Sequence, residues 1–215
     1  MSKVNVLVFP GGTEIGLEIN RALRASKEIT LFSAGLAISN HAPFVFKRHF
    51  ELPSIYDEGW IDALNLLIEG KKIDFIFPAY DDIIVALATH AHKIKAQVIS
   101  SPLETCLITR SKLKTYNFFK NILPTPTIYK QIEEIESYPI FIKPDIGQGS
   151  QGTALIYSSE QLHFLIKEAV SREKQLVIME YLPGPEYTID CFTHRKQGLL
   201  YCSARERIRT KNGIS

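Results

Sequence analysis

Lys143 ends the apolar run Ile140-Phe141-Ile142 and is followed by Pro144 and then by Asp145-Ile146-Gly147-Gln148-Gly149-Ser150-Gln151-Gly152. A proline excludes helix from the residue before it, so Lys143 is expected extended at a strand end. Glycine has no Cβ, and Gly147, Gly149 and Gly152 let main-chain N–H groups approach phosphate oxygens without side-chain obstruction. An ammonium group and a ring of amides together offset polyphosphate charge, which fits a nucleoside triphosphate. The same residues also fit a glycine-rich hairpin with Lys143 as a solvated strand end.

A second series follows in Val177-Ile178-Met179-Glu180-Tyr181-Leu182-Pro183-Gly184-Pro185-Glu186. An apolar strand ends in an acid, bends at Pro-Gly and resumes with another acid. Farther on, Ser203-Ala204-Arg205-Glu206-Arg207-Ile208-Arg209 places its basic side chains on one strand face by alternation. That stripe can face anionic chemistry, or it can be an exposed strand of solvated charge.

These residues need elements to hold them. Val4 to Phe9 reads as a fully apolar strand, followed by a Pro10-Gly11-Gly12-Thr13 turn and a helix with Ile15, Ile19, Ala22 and Leu23 on one face. A strand at Ile29 to Phe32 and a helix at Trp60 to Ile68 come next, the latter with Ile61, Leu64 and Ile68 inward. Asp74 to Pro78 is a third strand. Asp81 opens a helix carrying Ile84, Leu87, Ala88 and Ala91 on one side, and Gln97 to Ser100 is a fourth strand. The alternation argues for a parallel sheet, because parallel neighbours need helices to return the chain. A helix over Thr109 to Phe119 and the stiff Leu123-Pro124-Thr125-Pro126 linker then lead to a half of short strands, at Ile140 to Lys143, Gly152 to Tyr157, Leu176 to Glu180, Glu186 to Thr193 and Leu199 to Arg205. Ser158 and Gln161 form a capping box for a helix with the stripe Leu162, Leu165, Ile166 and Ala169. This half reads as α+β with an antiparallel component.

The first turn holds Gly11, Gly12 and Gly16 between strand and helix, but position 13 is Thr, and no acid closes the second strand at Leu31-Phe32-Ser33-Ala34. The dinucleotide fingerprint is therefore incomplete, and a tight turn or a small-substrate contact takes its place. Asp81 and Asp82 read as a helix cap or as substrate contacts. The formal charge of +2, without blocks of like charge, argues against nucleic acid. A composition of 45% hydrophobic and 22% charged residues, with no secretory or membrane-spanning run, predicts a globular cytoplasmic protein. Cys106, Cys191 and Cys202 lack metal-ligand spacing and are expected as reduced, small apolar fillers.

Taken as an ordered set, Lys143 with its glycine loop, Glu180 and Glu186 resemble the ATP-grasp superfamily. The chain is similar to the carbamoyl-phosphate synthetase large chain and related carboxylate–amine ligases. The resemblance implies an α/β fold: a Rossmann-like pre-ATP-grasp domain with a parallel sheet at 1–108, a connecting helix at 109–123, an α+β lid subdomain at 124–182, and at 183–215 the start of a C-terminal subdomain that is truncated. It implies ATP binding by Lys112 and Lys143 from opposite sides of the phosphates, by Gly147, Gly149, Ser150 and Gly152 of the covering loop, by Glu180, Tyr181 and Leu182 along the adenine edge, and by Glu186 at the ribose. Arg205 and Arg207 would lie near the transferred phosphate or the substrate carboxylate, and Asp190 fits an acidic position of similar chains without a stated role. Magnesium would be held by a Glu or Asp and a Glu-x-Asn expected downstream of Ser215, so no metal ligand is assigned in this chain.

The complete parent would convert a small-molecule carboxylate to an acyl phosphate for capture by an amine, with this piece alone inactive. The piece would pair with a second copy or with a missing C-terminal fragment. The rival readings are a non-catalytic nucleotide-binding scaffold and a nicotinamide-dependent oxidoreductase.

Overall fold

The structure, a computed structural model, describes residues 3–147, 149–173, 175–194 and 196–208. They fall into two compact units, 1–110 and 111–215.

The first unit contains β1 (Val4–Phe9), α1 (Glu14–Leu23), β2 (Ile29–Gly35), α2 (Ala42–Val45), β3 (His49–Glu51), α3 (Trp60–Lys71), β4 (Phe75–Pro78), α4 (Asp81–Thr89), β5 (Gln97–Val98) and α5 (Leu103–Arg110). Its strands form one parallel sheet in the order β3-β2-β1-β4-β5. The run Val4–Phe9 is apolar at nearly every position because helices cover both sheet faces. Leu7 and Phe9 pack with Phe32, Leu64, Ile68, Ile76 and Leu87 on one side. Val8 packs with Ala42, Phe46 and Ala79 on the other. The chain leaves β1 toward β2 and β3, then crosses to β4 and β5, so a crevice opens outside the carboxyl ends of β1 and β4.

Two expected helix faces are corrected. Ile15 and Ala22 are exposed, and α1 turns Gly16 and Asn20 inward instead, because Gly16 lies directly against the Gly11 carbonyl. Ala91 lies past the end of α4 and is exposed, whereas Ile83 joins Leu87 in the core. At the sheet edge, Ser33 Oγ lies 2.8 Å from His49 Nδ1, joining β2 to β3. Burial pushes the His49 imidazole below its ordinary pKa of 6.5, opposed by the nearby Glu51 carboxylate.

The second unit contains α6 (Lys112–Phe119), β6 (Ile128–Tyr129), β7 (Ile140–Pro144), β8 (Ala154–Ile156), α7 (Ser159–Ser171), β9 (Leu176–Glu180), β10 (Tyr187–His194) and β11 (Gly198–Glu206). Strands β6-β9-β7-β8 form an antiparallel sheet, and β10 and β11 form a hairpin. The expected continuous helix over Thr109 to Phe119 is broken, and α5 and α6 meet at Ser111. The cause is local: the Ser111 side chain accepts from Lys114 N, so Ser111 takes an extended backbone and caps a new helix. The Ser158 cap on Gln161 N is present as expected. Its helix lays Leu162 onto Ile140, Ile142 and Ile156, with Leu165 and Ile166 packed against them.

Cys106 is buried, and burial raises its thiol pKa. Cys191 and Cys202 are exposed partners across the β10–β11 ladder, so the expectation of three core fillers holds for Cys106 alone. No helix among the described residues is long and apolar enough to cross a membrane.

Candidate functional site

Strand alternation decides which side chains of β7 can do chemistry. Ile140 and Ile142 are buried against α7, so Phe141 and Lys143 must point to the opposite face. There they help line a cavity of about 340 Å³, together with Lys112, Gly147, Gly149, Ser150, Glu186 and Arg207. Lys112 comes from the first turn of α6, Lys143 from the end of β7, Glu186 from just before β10 and Arg207 from just after β11.

Each cation is held by a specific partner. Lys143 Nζ lies 2.6 Å from Tyr116 Oη and 4.9 Å from the centroid of the Tyr116 ring. With the hydroxyl that close, the ammonium lies beyond the Oη end of the ring, and the contact is a hydrogen bond to the hydroxyl. Lys112 Nζ donates to the carbonyls of Asp145 at 3.0 Å and Gly147 at 3.3 Å, which ties α6 to the start of the glycine loop. Arg207 Nη1 donates to Glu186 Oε1 at 3.0 Å, and the main-chain N–H of Arg207 donates to Glu186 O at 2.7 Å.

The loop itself is bent by backbone conformations that favour glycine. Gly149, Ser150 and Gly152 have φ of 65°, 55° and 73°. A Cβ on Gly152 would also stand 3.0 Å from Pro144 Cγ, so that position requires glycine on two grounds. Ser150, a non-glycine residue in the left-handed region, is held by its own carbonyl, which accepts from Thr153 Oγ1 at 2.9 Å. Gln148 lies outside the described residues.

A buried carboxylate anchors this arrangement. Asp145 accepts from Ser111 Oγ at 2.9 Å and from Leu113 N at 2.8 Å, and its own N–H donates to Gln175 O at 2.8 Å. Its burial is compatible with a charge because the helix N-terminus supplies donors to it. Sequence reasoning missed Asp145, Ser111 and Tyr116. A serine immediately ahead of a helix was the available signal for Ser111. Nothing local marked Tyr116, whose role depends on α6 lying over β7.

Other expected site residues stand elsewhere. Gly152, Glu180, Tyr181, Leu182 and Arg205 do not line this cavity. Glu180 brackets Thr127, accepting from Thr127 N at 2.7 Å through its carboxylate and donating its own N–H to Thr127 O at 3.0 Å. Tyr181 and Leu182 follow as exposed residues. Arg205 donates to Asp190 at 3.0 Å across the hairpin, which gives Asp190 an ion-pair partner. Arg209, the last residue of the expected basic stripe, lies outside the described residues.

In the first unit, close packing behind the turn after β1 requires its glycines. A Cβ on Gly11 would be 2.6 Å from Ser33 Cβ, and one on Gly12 would be 2.7 Å from the Asn40 side chain. Asp81 and Asp82 lie in the first turn of α4, and neither is its cap residue, which is Tyr80. Both instead pair with Arg110, at 3.6 Å and 2.7 Å. Among the described residues no three His, Cys, Asp or Glu side chains converge as a metal ion would require.

Comparison with known proteins finds what the chain is similar to. Residues 109–214 match the ATP-grasp domain. A D-alanine–D-alanine ligase of Fusobacterium nucleatum is 32% identical over 210 residues, covering 92% of this chain and 63% of that protein. One of Petrotoga mobilis is 28% identical over 100 residues, covering 45% of this chain and 34% of that protein. The chain thus spans between about a third and two thirds of the length of these relatives. The structure of N5-carboxyaminoimidazole synthetase from Staphylococcus aureus complexed with ADP has a TM-score of 0.75 at 16% identity, covering 100% of this chain and 57% of that one. An L-amino acid ligase from Bacillus licheniformis has a TM-score of 0.68 at 18% identity, covering 98% and 52%. At these identities the solved structures establish the shared fold. The curated relatives carry the resemblance at the level of ATP-grasp ligases, not of carbamoyl-phosphate synthetase. Residues 109–214, just under half of this chain, are thus similar to the ATP-grasp domain.

Proposed function

We propose that the second unit binds ATP through the cavity that Lys112, Lys143 and the glycine loop share, and that the protein serves ATP-dependent ligation of a carboxylate to an amine. In this reading Lys112 and Lys143 offset polyphosphate charge, loop N–H groups donate to phosphate oxygens, and Glu186 accepts from ribose hydroxyls. Glu180, Tyr181 and Leu182 would offer main-chain groups to the adenine edge. Arg207, and Arg205 beyond the cavity, would stabilise the phosphate or the substrate carboxylate, since a guanidinium can bind two oxygens at once.

The reaction has two steps. A substrate carboxylate oxygen attacks the γ-phosphorus while the bond to ADP breaks, giving an acyl phosphate. An amine nitrogen then attacks the acyl carbon, phosphate leaves, and the nitrogen gives up a proton. The D-alanine–D-alanine ligase relatives favour amino acids as the substrate class over a carbamoyl-phosphate-synthetase-like reaction. The nicotinamide reading is not favoured by the D-alanine–D-alanine ligase relatives, and position 13 of the first turn is Thr where the dinucleotide fingerprint needs glycine.

The observation that carries the proposal is the convergence of Lys112, Lys143 and three loop residues on one cavity inside the matched domain. Calorimetric titration with ATP tests it. Lys143→Ala should weaken ATP binding by about tenfold or more, a loss of about 1.4 kcal/mol, with unchanged circular dichroism. Unaltered affinity would remove Lys143 from the site, and ADP release stimulated by a panel of amino acids tests the ligase reading itself.

A further inference from the structure

Cys191 of β10 and Cys202 of β11 stand directly opposite each other in the antiparallel ladder, with their Sγ atoms 3.8 Å apart. Both thiols are free, and both are exposed among the described residues. Residues that face each other across such a ladder have Cα atoms about 4.5–5.5 Å apart, inside the window of about 4.4–6.8 Å that a disulfide spans. The backbone is already placed for a bond, and side-chain rotation supplies the remaining approach.

Little else holds the register of this hairpin. Nearly every position of β10 and β11 is exposed among the described residues, so no buried face penalises a slip of one strand along the other. The register shifts between Phe192 and Thr193, immediately beyond Cys191. The Arg205–Asp190 ion pair across the ladder is exposed on both sides, where such a pair contributes little. A covalent link at Cys191 and Cys202 would remove slipped and opened arrangements outright. The same ladder ends where the Arg207 N–H donates to the Glu186 carbonyl, so pinning it also keeps these two cavity residues in step.

We propose that Cys191 and Cys202 are a reversible dithiol–disulfide site, oxidised by a small-molecule disulfide, and that the bond locks the register of the hairpin. A thiolate of the pair attacks one sulfur of the small disulfide, forming a mixed disulfide and expelling one thiolate. The second cysteine, losing its proton, attacks the protein sulfur of that mixed disulfide and expels the other. Two protons leave the protein with two small thiols, so the cysteines are oxidised and the small disulfide is reduced. The inference rests on the hairpin alone and does not require the ATP reading.

Incubation of the whole chain with glutathione disulfide, then alkylation and peptide mass spectrometry, tests it. The expected product is one internal link between the peptides holding Cys191 and Cys202, lighter by the two thiol hydrogens and returned to free thiols by dithiothreitol. Cys191→Ser and Cys202→Ser should each stop at a mixed disulfide with glutathione on the remaining cysteine. Hydrogen exchange of the β10 and β11 amides should slow by about tenfold or more in the oxidised protein, and in neither variant. Unreacted thiols, glutathione retained on both cysteines, a link between two chains in place of the internal one, or a link that leaves hairpin exchange unchanged would overturn the proposal. An ATP titration that fails while the internal link forms counts against the nucleotide reading only.

Discussion

Lys143 shows what a single residue gains from its neighbours. Its ammonium rests on the hydroxyl of Tyr116, so the charge is aimed before any ligand arrives. Tyr116→Phe keeps the ring and removes the hydroxyl. One hydrogen bond contributes about 0.5–1.5 kcal/mol to stability, so the melting temperature should fall by a few degrees, and ATP affinity should fall as the ammonium loses its positioning partner. A calorimetric titration beside a thermal melt reads both. His49 offers a second test at this scale. Its folded pKa lies below 6.5, so the unfolded chain binds more protons just beneath that value. The associated stability is fully present above about pH 6.5 and is lost as pH falls through the folded pKa. Urea unfolding across this window should show a shallower pH dependence for His49→Gln than for the unaltered protein.

At the scale of elements, the junction of α5 and α6 is the informative place. Periodicity over Thr109 to Phe119 reads as one helix, yet Ser111 ends one and caps the next by accepting from Lys114 N, and its hydroxyl also donates to Asp145, distant in sequence. That carboxylate also receives Leu113 N, while the Asp145 carbonyl receives both the N–H and the ammonium of Lys112. The lysine, the loop and the helix start are thus one hydrogen-bonded unit. Asp145→Ala would leave the buried Ser111 hydroxyl and the Leu113 N–H without their acceptor, at a cost of about 1–3 kcal/mol for a buried group left unsatisfied. Chemical denaturation should report that loss, and Asp145→Asn, which retains an acceptor, should lose less. The alternation in β7 was legible in advance: Ile140 and Ile142 had to face a core, which committed Phe141 and Lys143 to the other side.

At the scale of the whole molecule, two compact units divide the labour of burial. The first surrounds a parallel sheet with helices, and Leu64 of α3 is fully buried in its larger core. Leu64→Ala should cost about 2–5 kcal/mol, the range for a leucine truncated in a packed interior. Hydrogen exchange should locate the loss, with faster exchange of amides in β1, β4 and α3. The second unit has a smaller core around Ile140, Ile142, Ile156 and Leu162, together with an exposed hairpin that presents Ile189, Phe192 and Tyr201.

The order of residues by itself determined the alternation of strands and helices in the first unit, the antiparallel character of the second, and the extended Lys143 ahead of a glycine loop. These follow from short-range rules, since periodicity, prolines and glycines act within a few residues of themselves, whereas Lys112 and Glu186 were singled out by the resemblance to the ATP-grasp superfamily. Tertiary structure alone decided that Tyr116 orients Lys143, that Asp145 anchors α6, that Glu180 binds Thr127, and that Arg207 reaches the cavity while Arg205 turns to Asp190. Those outcomes depend on contacts between residues up to 53 positions apart, as in Thr127 with Glu180, which no local pattern encodes. The same holds for the first glycine turn, whose close packing on Ser33 and Asn40 exists only once the sheet has folded.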